Sequence, residues 1–177
     1  SSLSLISHKY LGEKQIIKIK YKNSIYSFYL KLFGKIQIKN ILMAMLAAEN
    51  NNLKFEKIVN KISKIKPVNG RLEKIGKVKN NSMVILDYAH TPDALNICLE
   101  NLKDQFKNRK ISIVFGCGGD RDKFKRPRMG KIANYYCKKV YLTDDNPRTE
   151  NPKKIRWEIK RKINKSKILE IPEREKA

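Results

Sequence analysis

The order strand, polar loop, helix recurs three times between residues 83 and 163, and it constrains the fold more than any other feature of the sequence. Each unit starts with a short apolar run, at residues 83–86, 111–115 and 140–142. A polar cluster follows each run, and apolar residues at helical spacing follow each cluster. Strands that alternate with helices in this way predict a parallel sheet with right-handed crossovers, and therefore an α/β fold.

The helices of these units carry recognisable start signals. Thr91 is placed to cap the first helix, with Pro92 at its first position, and Asn151 and Pro152 repeat that arrangement before the third helix. The residues that we expect to face the core are Leu95, Cys98, Leu99, Leu102, Phe106, Met129, Ile132, Ala133, Tyr136, Ile155, Ile159 and Ile163.

The chain before residue 67 has a different organisation. Alternating runs at residues 16–21 and 26–30 predict a β-hairpin, and residues 38–48 predict a helix that stops at the asparagines 50–52. Residues 55–65 repeat apolar side chains at helical spacing until Pro67. The Pro- and Gly-containing segment 67–71 is the predicted domain boundary, which gives a first part of residues 1–68 and a second of residues 69–177.

Polar clusters follow the three strands of the repeated units. In parallel sheets ligands bind outside the carboxyl ends of the strands, so we expect Asp87, Arg121 and Arg148 to lie along one rim. Asp87 could face a nucleotide or Mg²⁺, or could cap a helix. For His90 a structural role is favoured over catalysis, because one His and one Asp do not make a metal site.

The second cluster, residues 116–122, combines three glycines with two acids and an arginine. Such a loop can present backbone N–H groups to an anion, or can simply form a tight strand-to-helix turn. The third cluster sets Asp145, Asn146 and Arg148 around Pro147. Arg offers a planar fork to a carboxylate and Asp accepts from an ammonium, so this cluster could hold an amino-acid end group, or it could be an Asx-type turn that starts a helix.

The formal net charge of +23 raises nucleic acid or an anionic membrane as partners. The excess is mostly Lys, spread along the chain with no basic stripe of interleaved aromatics, so we expect neither partner, and a basic nucleic-acid-binding module stays as an alternative.

No run is long and apolar enough to cross a bilayer and no signal peptide is evident, so we expect a soluble, cytoplasmic protein. The cysteines lack paired spacing, which predicts reduced thiols.

Four motifs, taken in order, resemble the Mur ligases, and in particular those that add meso-diaminopimelate. They are Gly70-Arg71-Leu72-Glu73, then Asp87-Tyr88-Ala89-His90-Thr91-Pro92-Asp93, then residues 116–122 with Lys125-Arg126-Pro127, and then Asp144-Asp145-Asn146-Pro147-Arg148. The similarity reaches back to residues 34–44, which resemble the end of the family's central ATPase domain. The resemblance thus implies the tail of that domain followed by a Rossmann-like domain with a mainly parallel sheet.

The resemblance also implies roles for single residues. Asn40, Arg71 and Asp87 would face ATP, although Gln37 stands where the family usually has Asn. The residues implied to bind meso-diaminopimelate are Arg121, Asp145, Asn146, Pro147 and Arg148. Arg121, Asn146 and Arg148 would hold the distal carboxylate and Asp145 the distal ammonium, and the arginine at 148 favours diaminopimelate over lysine, which has no second carboxylate.

The implied reaction is ATP-dependent amide formation between meso-diaminopimelate and UDP-N-acetylmuramoyl-L-alanyl-D-glutamate, with Mg²⁺, through an acyl phosphate. The family's phosphate loop has no counterpart in the sequence. We therefore expect the chain to need the N-terminal portion of the enzyme and to be inactive by itself. No residue is assigned a catalytic role. A lysine-adding relative and folylpolyglutamate synthase are the alternative ligases.

Overall fold

Alternating apolar and polar residues build the first sheet. In the computed structural model, which describes residues 3–177, β1 (Leu3–Leu11), β2 (Lys14–Tyr21) and β3 (Ser24–Leu30) form an antiparallel sheet in that order. Ile17 and Ile19 of β2 are fully buried, whereas the lysines between and beside them are exposed. The predicted hairpin is confirmed as β2 and β3, and β1 is an additional strand that the sequence analysis did not predict.

Two helices cover the apolar side of this sheet. α1 (Ile36–Asn50) confirms the predicted helix, and α2 (Phe55–Ile62) starts where expected but ends ahead of Ile65. Ile38, Met45 and Phe55 join the strand residues in one buried cluster. The aromatic rings of Tyr21 and Phe55 stack within it at 3.7 Å between centroids. The amphipathic pattern of the sequence therefore produces a sheet-and-helix core here.

The strand before the first polar cluster has a different neighbour from the one expected. β4 (Glu73–Val78) and β5 (Ser82–Leu86) pair antiparallel, with a register shift between Lys74 and Gly76. We expected β5 in the parallel sheet. The partner strand β4 was missed because the shift interrupts its alternation and because its apolar residues, Ile75 and Val78, are exposed.

The contacts between Cα atoms divide the chain into two compact units. The first runs to Tyr88 and includes Asp104–Phe106, and the second contains Ala89–Lys103 and Lys107–Ala177. The sequence boundary at residues 67–71 stays a prediction.

The second unit contains the repeated strand and helix pattern. Its elements are α3 (Pro92–Gln105), except for the last two residues of that helix, β6 (Ser112–Phe115), α4 (Lys125–Tyr136), β7 (Lys139–Leu142), α5 (Pro152–Lys160) and β8 (Ile168–Glu170). The strands form a parallel sheet in the order β6-β7-β8, which confirms the α/β class with a mainly parallel sheet. β8 was not predicted, because its three residues are too few to show a period.

Capping and close packing fix the helices of this unit. The Thr91 hydroxyl accepts from Ala94 N at 3.2 Å and Asn151 Oδ1 accepts from Lys153 N at 2.9 Å, so both predicted caps are confirmed. α4 approaches α5 so closely that a Cβ on Gly130 would lie 2.2 Å from the carbonyl oxygen of Ile159. Among residues 3–177, no helix has the length and apolar character needed to cross a membrane.

Candidate functional site

Two loops leave neighbouring parallel strands at the same edge of the sheet. Phe115 ends β6 and Leu142 ends β7, and these two residues are partners in the register. We call residues 116–122 the glycine loop and residues 144–150 the proline turn. Because parallel strands end together, the two segments meet although they are far apart in sequence. The prediction that Arg121 and Arg148 lie on loops at one rim is confirmed.

The glycines let the two segments touch. A Cβ on Gly116 would lie 2.4 Å from Thr143 O, and one on Gly119 would lie 1.9 Å from Pro147 O. No real side chain tolerates such distances. Of the two readings of the glycine loop, the tight turn packed against a neighbour therefore has direct structural support.

Hydrogen bonds join the backbones of the two segments. Gly119 N donates to Asn146 O at 2.8 Å, and Arg148 Nη1 donates back to Gly119 O at 2.7 Å. Asp120 accepts from the hydroxyl of Thr149 at 2.8 Å through Oδ1 and from its N–H at 3.1 Å through Oδ2. The glycine loop and the proline turn thus form one cross-linked surface.

The proline turn has a compact local geometry. Asn146 Oδ1 accepts from Arg148 N at 3.2 Å, and Glu150 N donates to Pro147 O at 3.0 Å. Arg148 adopts a left-handed backbone conformation with φ of 50°, which is uncommon for a residue with a side chain. The Asx-type turn considered above is present, and α5 begins just after it. The same turn also leaves Asp145, Asn146 and Arg148 exposed, so both readings describe one segment.

A buried arginine lies beneath both segments. Arg126 of α4 is fully buried, and its guanidinium contacts Glu150 at 2.8 Å, Glu158 at 2.7 Å and Gly118 O at 3.2 Å. The hydrogen bonds from Arg126 hold the pKa of Glu150 down at about 2. Glu150 also accepts from Asp120 N at 2.7 Å. Glu150 therefore stays ionised and ties α4, the glycine loop and the proline turn together.

A second ion-pair group holds the start of the proline turn. Arg156 of α5, also buried, pairs with Asp144 and with Glu170, whose Oε1 lies 2.7 Å from Arg156 Nε. Arg174 approaches the turn, with Nε 3.3 Å from Thr143 Oγ1 and Nη1 3.8 Å from Asp145 Oδ1. The exposed carboxylate of Asp145 therefore lies within ion-pair distance of Arg174.

The candidate nucleotide residues lie in the first unit. Leu72 N donates to Asp87 Oδ2 at 2.9 Å, Tyr88 N donates to Gly70 O at 2.8 Å, and the guanidinium of Arg71 lies 5.2 Å from the ring centre of Tyr88. The structure therefore brings the segments of Arg71 and Asp87 together. That Asp87 lies along one rim with Arg121 and Arg148 stays a prediction.

Asn40 and His90 have local contacts. Asn40 lies on α1, where its Nδ2 donates to Gln37 Oε1 at 3.2 Å, so its role towards ATP stays a prediction. His90 is exposed, and its carbonyl accepts from Lys125 Nζ at 2.9 Å. Across residues 3–177, no three His, Cys, Asp or Glu side chains cluster closely enough to hold a metal ion.

Six supporting residues were not predicted from the sequence: Arg126, Thr149, Glu150, Arg156, Glu158 and Arg174. One signal could have revealed Arg126, because it lies at helical spacing from Met129, Gly130 and Ala133, which are the buried residues of α4. A charged residue on the apolar face of a helix requires buried partners of opposite charge. No comparable pattern in the sequence distinguishes Thr149, whose N–H and hydroxyl donate to Asp120.

Comparison with known proteins decides the family. The family model "Mur ligase, glutamate ligase domain" matches residues 70–177, which is more than half of the chain. The chain belongs to the Mur ligase family. This confirms the resemblance that the four motifs indicated.

Relatives with assigned names agree with this membership. The chain is 45% identical over 166 residues to the UDP-N-acetylmuramoyl-L-alanyl-D-glutamate–2,6-diaminopimelate ligase of Rickettsia typhi, covering 92% of this chain and 32% of the relative. It is 44% identical over 147 residues to the ligase of the same name from Buchnera aphidicola, covering 82% and 29%. The chain thus spans about a third of the length of the curated relatives it matches.

Solved structures extend the comparison to the fold. A diaminopimelate ligase structure is 32% identical with a TM-score of 0.68, and the match covers 99% of this chain and 36% of that one. The folylpolyglutamate synthase of Mycobacterium tuberculosis complexed with ADP has a TM-score of 0.78 at 19% identity, covering 97% and 38%. At that identity the likeness concerns the fold alone, and Mur ligases share the fold with folylpolyglutamate synthases.

Proposed function

We propose that this Mur ligase chain recognises meso-diaminopimelate for an ATP-dependent ligase that joins it to UDP-N-acetylmuramoyl-L-alanyl-D-glutamate. One observation carries the proposal: the glycine loop and the proline turn are cross-linked, by bonds such as Gly119 N to Asn146 O at 2.8 Å, into a single polar surface. That surface exposes Arg121, Asp145, Asn146 and Arg148. The relatives named as 2,6-diaminopimelate ligases support the choice of amino acid.

The chemistry of these side chains suits the distal end of meso-diaminopimelate. That end carries a carboxylate and an ammonium on one carbon. In the proposal, Arg121, Asn146 and Arg148 donate to the carboxylate, while Asp145 accepts from the ammonium. Pro147 fixes the backbone between the donors. Lysine has no distal carboxylate to accept from the arginines, so the proposed site discriminates against it.

Nucleotide binding belongs to the other part of the proposal. Arg71 is exposed beside Tyr88, and the N–H of Leu72 donates to the Asp87 carboxylate. A cationic and an anionic side chain of this kind could both contact a nucleotide. Asn40 is assigned to the same ligand by resemblance. The solved folylpolyglutamate synthase with ADP supports a nucleotide in proteins of this fold. Mg²⁺, which the resemblance implies, would accompany the phosphates of ATP and offset their negative charge.

The proposed reaction is the one that the resemblance to the Mur ligases implies. The terminal phosphoryl group of ATP moves to the side-chain carboxylate of the D-glutamyl residue, and ADP leaves. The amine of the bound meso-diaminopimelate attacks the carbonyl carbon of this acyl phosphate, the C–N bond forms as the C–O bond to phosphate breaks, and phosphate and the amine's proton are released. This chain contributes the fixed position of that amine, because holding two reactants together removes most of the entropic cost of their encounter.

A chimeric ligase tests the proposal. Residues 1–177 replace the matching residues of the Rickettsia typhi ligase, and ATP-dependent ligation is measured with meso-diaminopimelate and with L-lysine. We expect ligation of meso-diaminopimelate with kcat/KM at least about a hundredfold above that for lysine. Arg161→Ala, at the exposed residue that follows α5, is the control and should ligate like the unchanged chimera. Equal use of both amino acids would contradict the proposal.

A further inference from the structure

The guanidinium of Arg126 joins the glycine loop, the proline turn and α5. It donates to Gly118 O in the glycine loop at 3.2 Å, to both carboxylate oxygens of Glu150 at 2.8 and 3.0 Å, and to Glu158 of α5 at 2.7 Å. The side chain of Arg126 has no exposed surface, and those of Glu150 and Glu158 are only 12% and 14% exposed. One buried cation therefore serves two carboxylates and a loop carbonyl.

Stability alone is a poor explanation for this group. Removing three charges from water is costly, and apolar side chains of similar volume often stabilise a protein as well as a buried ion-pair triad does. The desolvation of Arg126 is also not fully compensated, because its buried Nε has no hydrogen-bond partner among the described residues. An apolar side chain cannot form directional hydrogen bonds. The hydrogen bonds of Arg126 can hold the two loops in one particular register.

The register that Arg126 controls is that of the glycine loop on the proline turn. Gly118 immediately precedes Gly119, whose N–H donates to Asn146 O at 2.8 Å. Glu150 closes the turn and accepts from Asp120 N at 2.7 Å. Arg126 thus contacts both segments, the glycine loop at Gly118 and the proline turn at Glu150.

We propose that Arg126 is a positioning residue for amino-acid recognition, which holds the loop carrying Arg121 against the turn carrying Arg148 through Gly118 and Glu150. The proposal rests on the proposed function for the identity of the ligand, but not for the arrangement of the loops. Arg126 touches no substrate in this account. Its loss loosens the spacing of the residues that do.

The test compares substitutions at two arginines of one helix. Arg126→Met replaces the guanidinium by an apolar side chain, and Arg126→Lys keeps the charge without the planar fork. Arg128→Met is the matched control, because Arg128 is 64% exposed and its nearest acid, Asp93, is 88% exposed. Glu158→Gln weakens the triad while keeping its shape, and it serves if Arg126→Met does not fold. All variants are made in the full chain.

Two measurements separate positioning from function. Amide hydrogen exchange is followed at Gly119 and Asp120, with Val140 of β7, which donates to Lys167 O, as the internal reference. Affinity is measured by calorimetry with meso-diaminopimelate. We expect Arg126→Met to speed exchange at both loop amides and to weaken affinity, each by roughly tenfold, with Val140 unchanged. Arg126→Lys and Glu158→Gln should fall between wild type and Arg126→Met.

The outcomes distinguish the two proposals. If Arg126→Met and Arg128→Met show the same exchange rates at the loop amides and the same affinity for meso-diaminopimelate, the positioning role is overturned. Faster exchange at Val140 to the same degree would also overturn it, because it would show general destabilisation. A wild-type chain that binds no meso-diaminopimelate would count against the proposed function, and loop exchange would still decide the role of Arg126.

Discussion

Adding one methyl group to Gly119 should destabilise the fold much more than adding it to Gly118. A Cβ on Gly119 would lie 1.9 Å from the backbone oxygen of Pro147, far inside ordinary van der Waals contact at 3.4 Å. A Cβ on Gly118 would lie 2.9 Å from Nη1 of Arg148, which is the far end of a flexible side chain and can move. Neither glycine has a left-handed backbone, so the difference between the variants is steric.

The magnitude follows from what must move. In Gly119→Ala the proline turn must withdraw, and the bonds from Gly119 N to Asn146 O and from Arg148 to Gly119 O are strained or lost. Overpacking and the weakened hydrogen bonds together cost roughly 2–5 kcal/mol of unfolding free energy. For Gly118→Ala the expected cost is below about 1.5 kcal/mol, since only one side-chain tip shifts.

Urea unfolding followed by the fluorescence of Trp157 measures this difference. Trp157 is the only tryptophan of the sequence and lies on α5, in the same unit as both glycines. The free energy of unfolding is obtained by linear extrapolation for wild type and both variants. Equal stability of Gly119→Ala and wild type, or an equal loss in both variants, would refute the close approach of the two segments.

Three further predictions concern charge and thiols. Arg148→Ala should weaken meso-diaminopimelate binding by about 2–5 kcal/mol in calorimetry on the chimeric ligase, and an equal loss for L-lysine would contradict its role. The pKa of Glu150 is lowered from 4.5 to about 2 by Arg126, so its ionisation stabilises the fold above pH 4.5 and this stabilisation is lost as pH falls towards 2. The stability gap between wild type and Glu150→Gln should therefore narrow on acidification, and a widening gap in urea midpoints would oppose this account. Burial raises the pKa of Cys117 to about 11 and that of Cys137 to about 12. A colorimetric thiol reagent near neutral pH should therefore react slowly with the folded chain and quickly after unfolding. Rapid reaction of the folded chain would contradict the burial of these thiols.

Much of the second unit could be predicted from the sequence. The order of apolar runs, polar loops and helices predicted the parallel strands β6 and β7, and Thr91 and Asn151 correctly marked two helix starts. These predictions succeeded because they depend on local patterns. Sheet partners depend on distant segments, and β5 was therefore placed in the parallel sheet, whereas it pairs antiparallel with β4.

The strands that were missed have interrupted or short patterns. The register of β1 shifts between Leu5 and Ser7, and that of β4 between Lys74 and Gly76, so neither strand keeps the period of two that a sequence reading requires.

The candidate site shows the same division between local and distant information. The residue types of the glycine loop and the proline turn indicated polar recognition, but the sequence left open whether the glycines serve a phosphate or a close packing. That choice depended on the approach of Gly119 to Pro147, which only the fold reveals. Arg126 escaped prediction because an arginine in a lysine-rich chain is ordinarily a surface residue.

The most direct test of the central claim is a titration of the isotopically labelled chain with meso-diaminopimelate, followed by backbone amide chemical shifts. The account predicts shifts concentrated in residues 116–122 and 144–150, largest near Arg121 and Arg148, and much weaker shifts with L-lysine at the same concentration. Shifts that avoid both segments, or that are the same for the two amino acids, would contradict it.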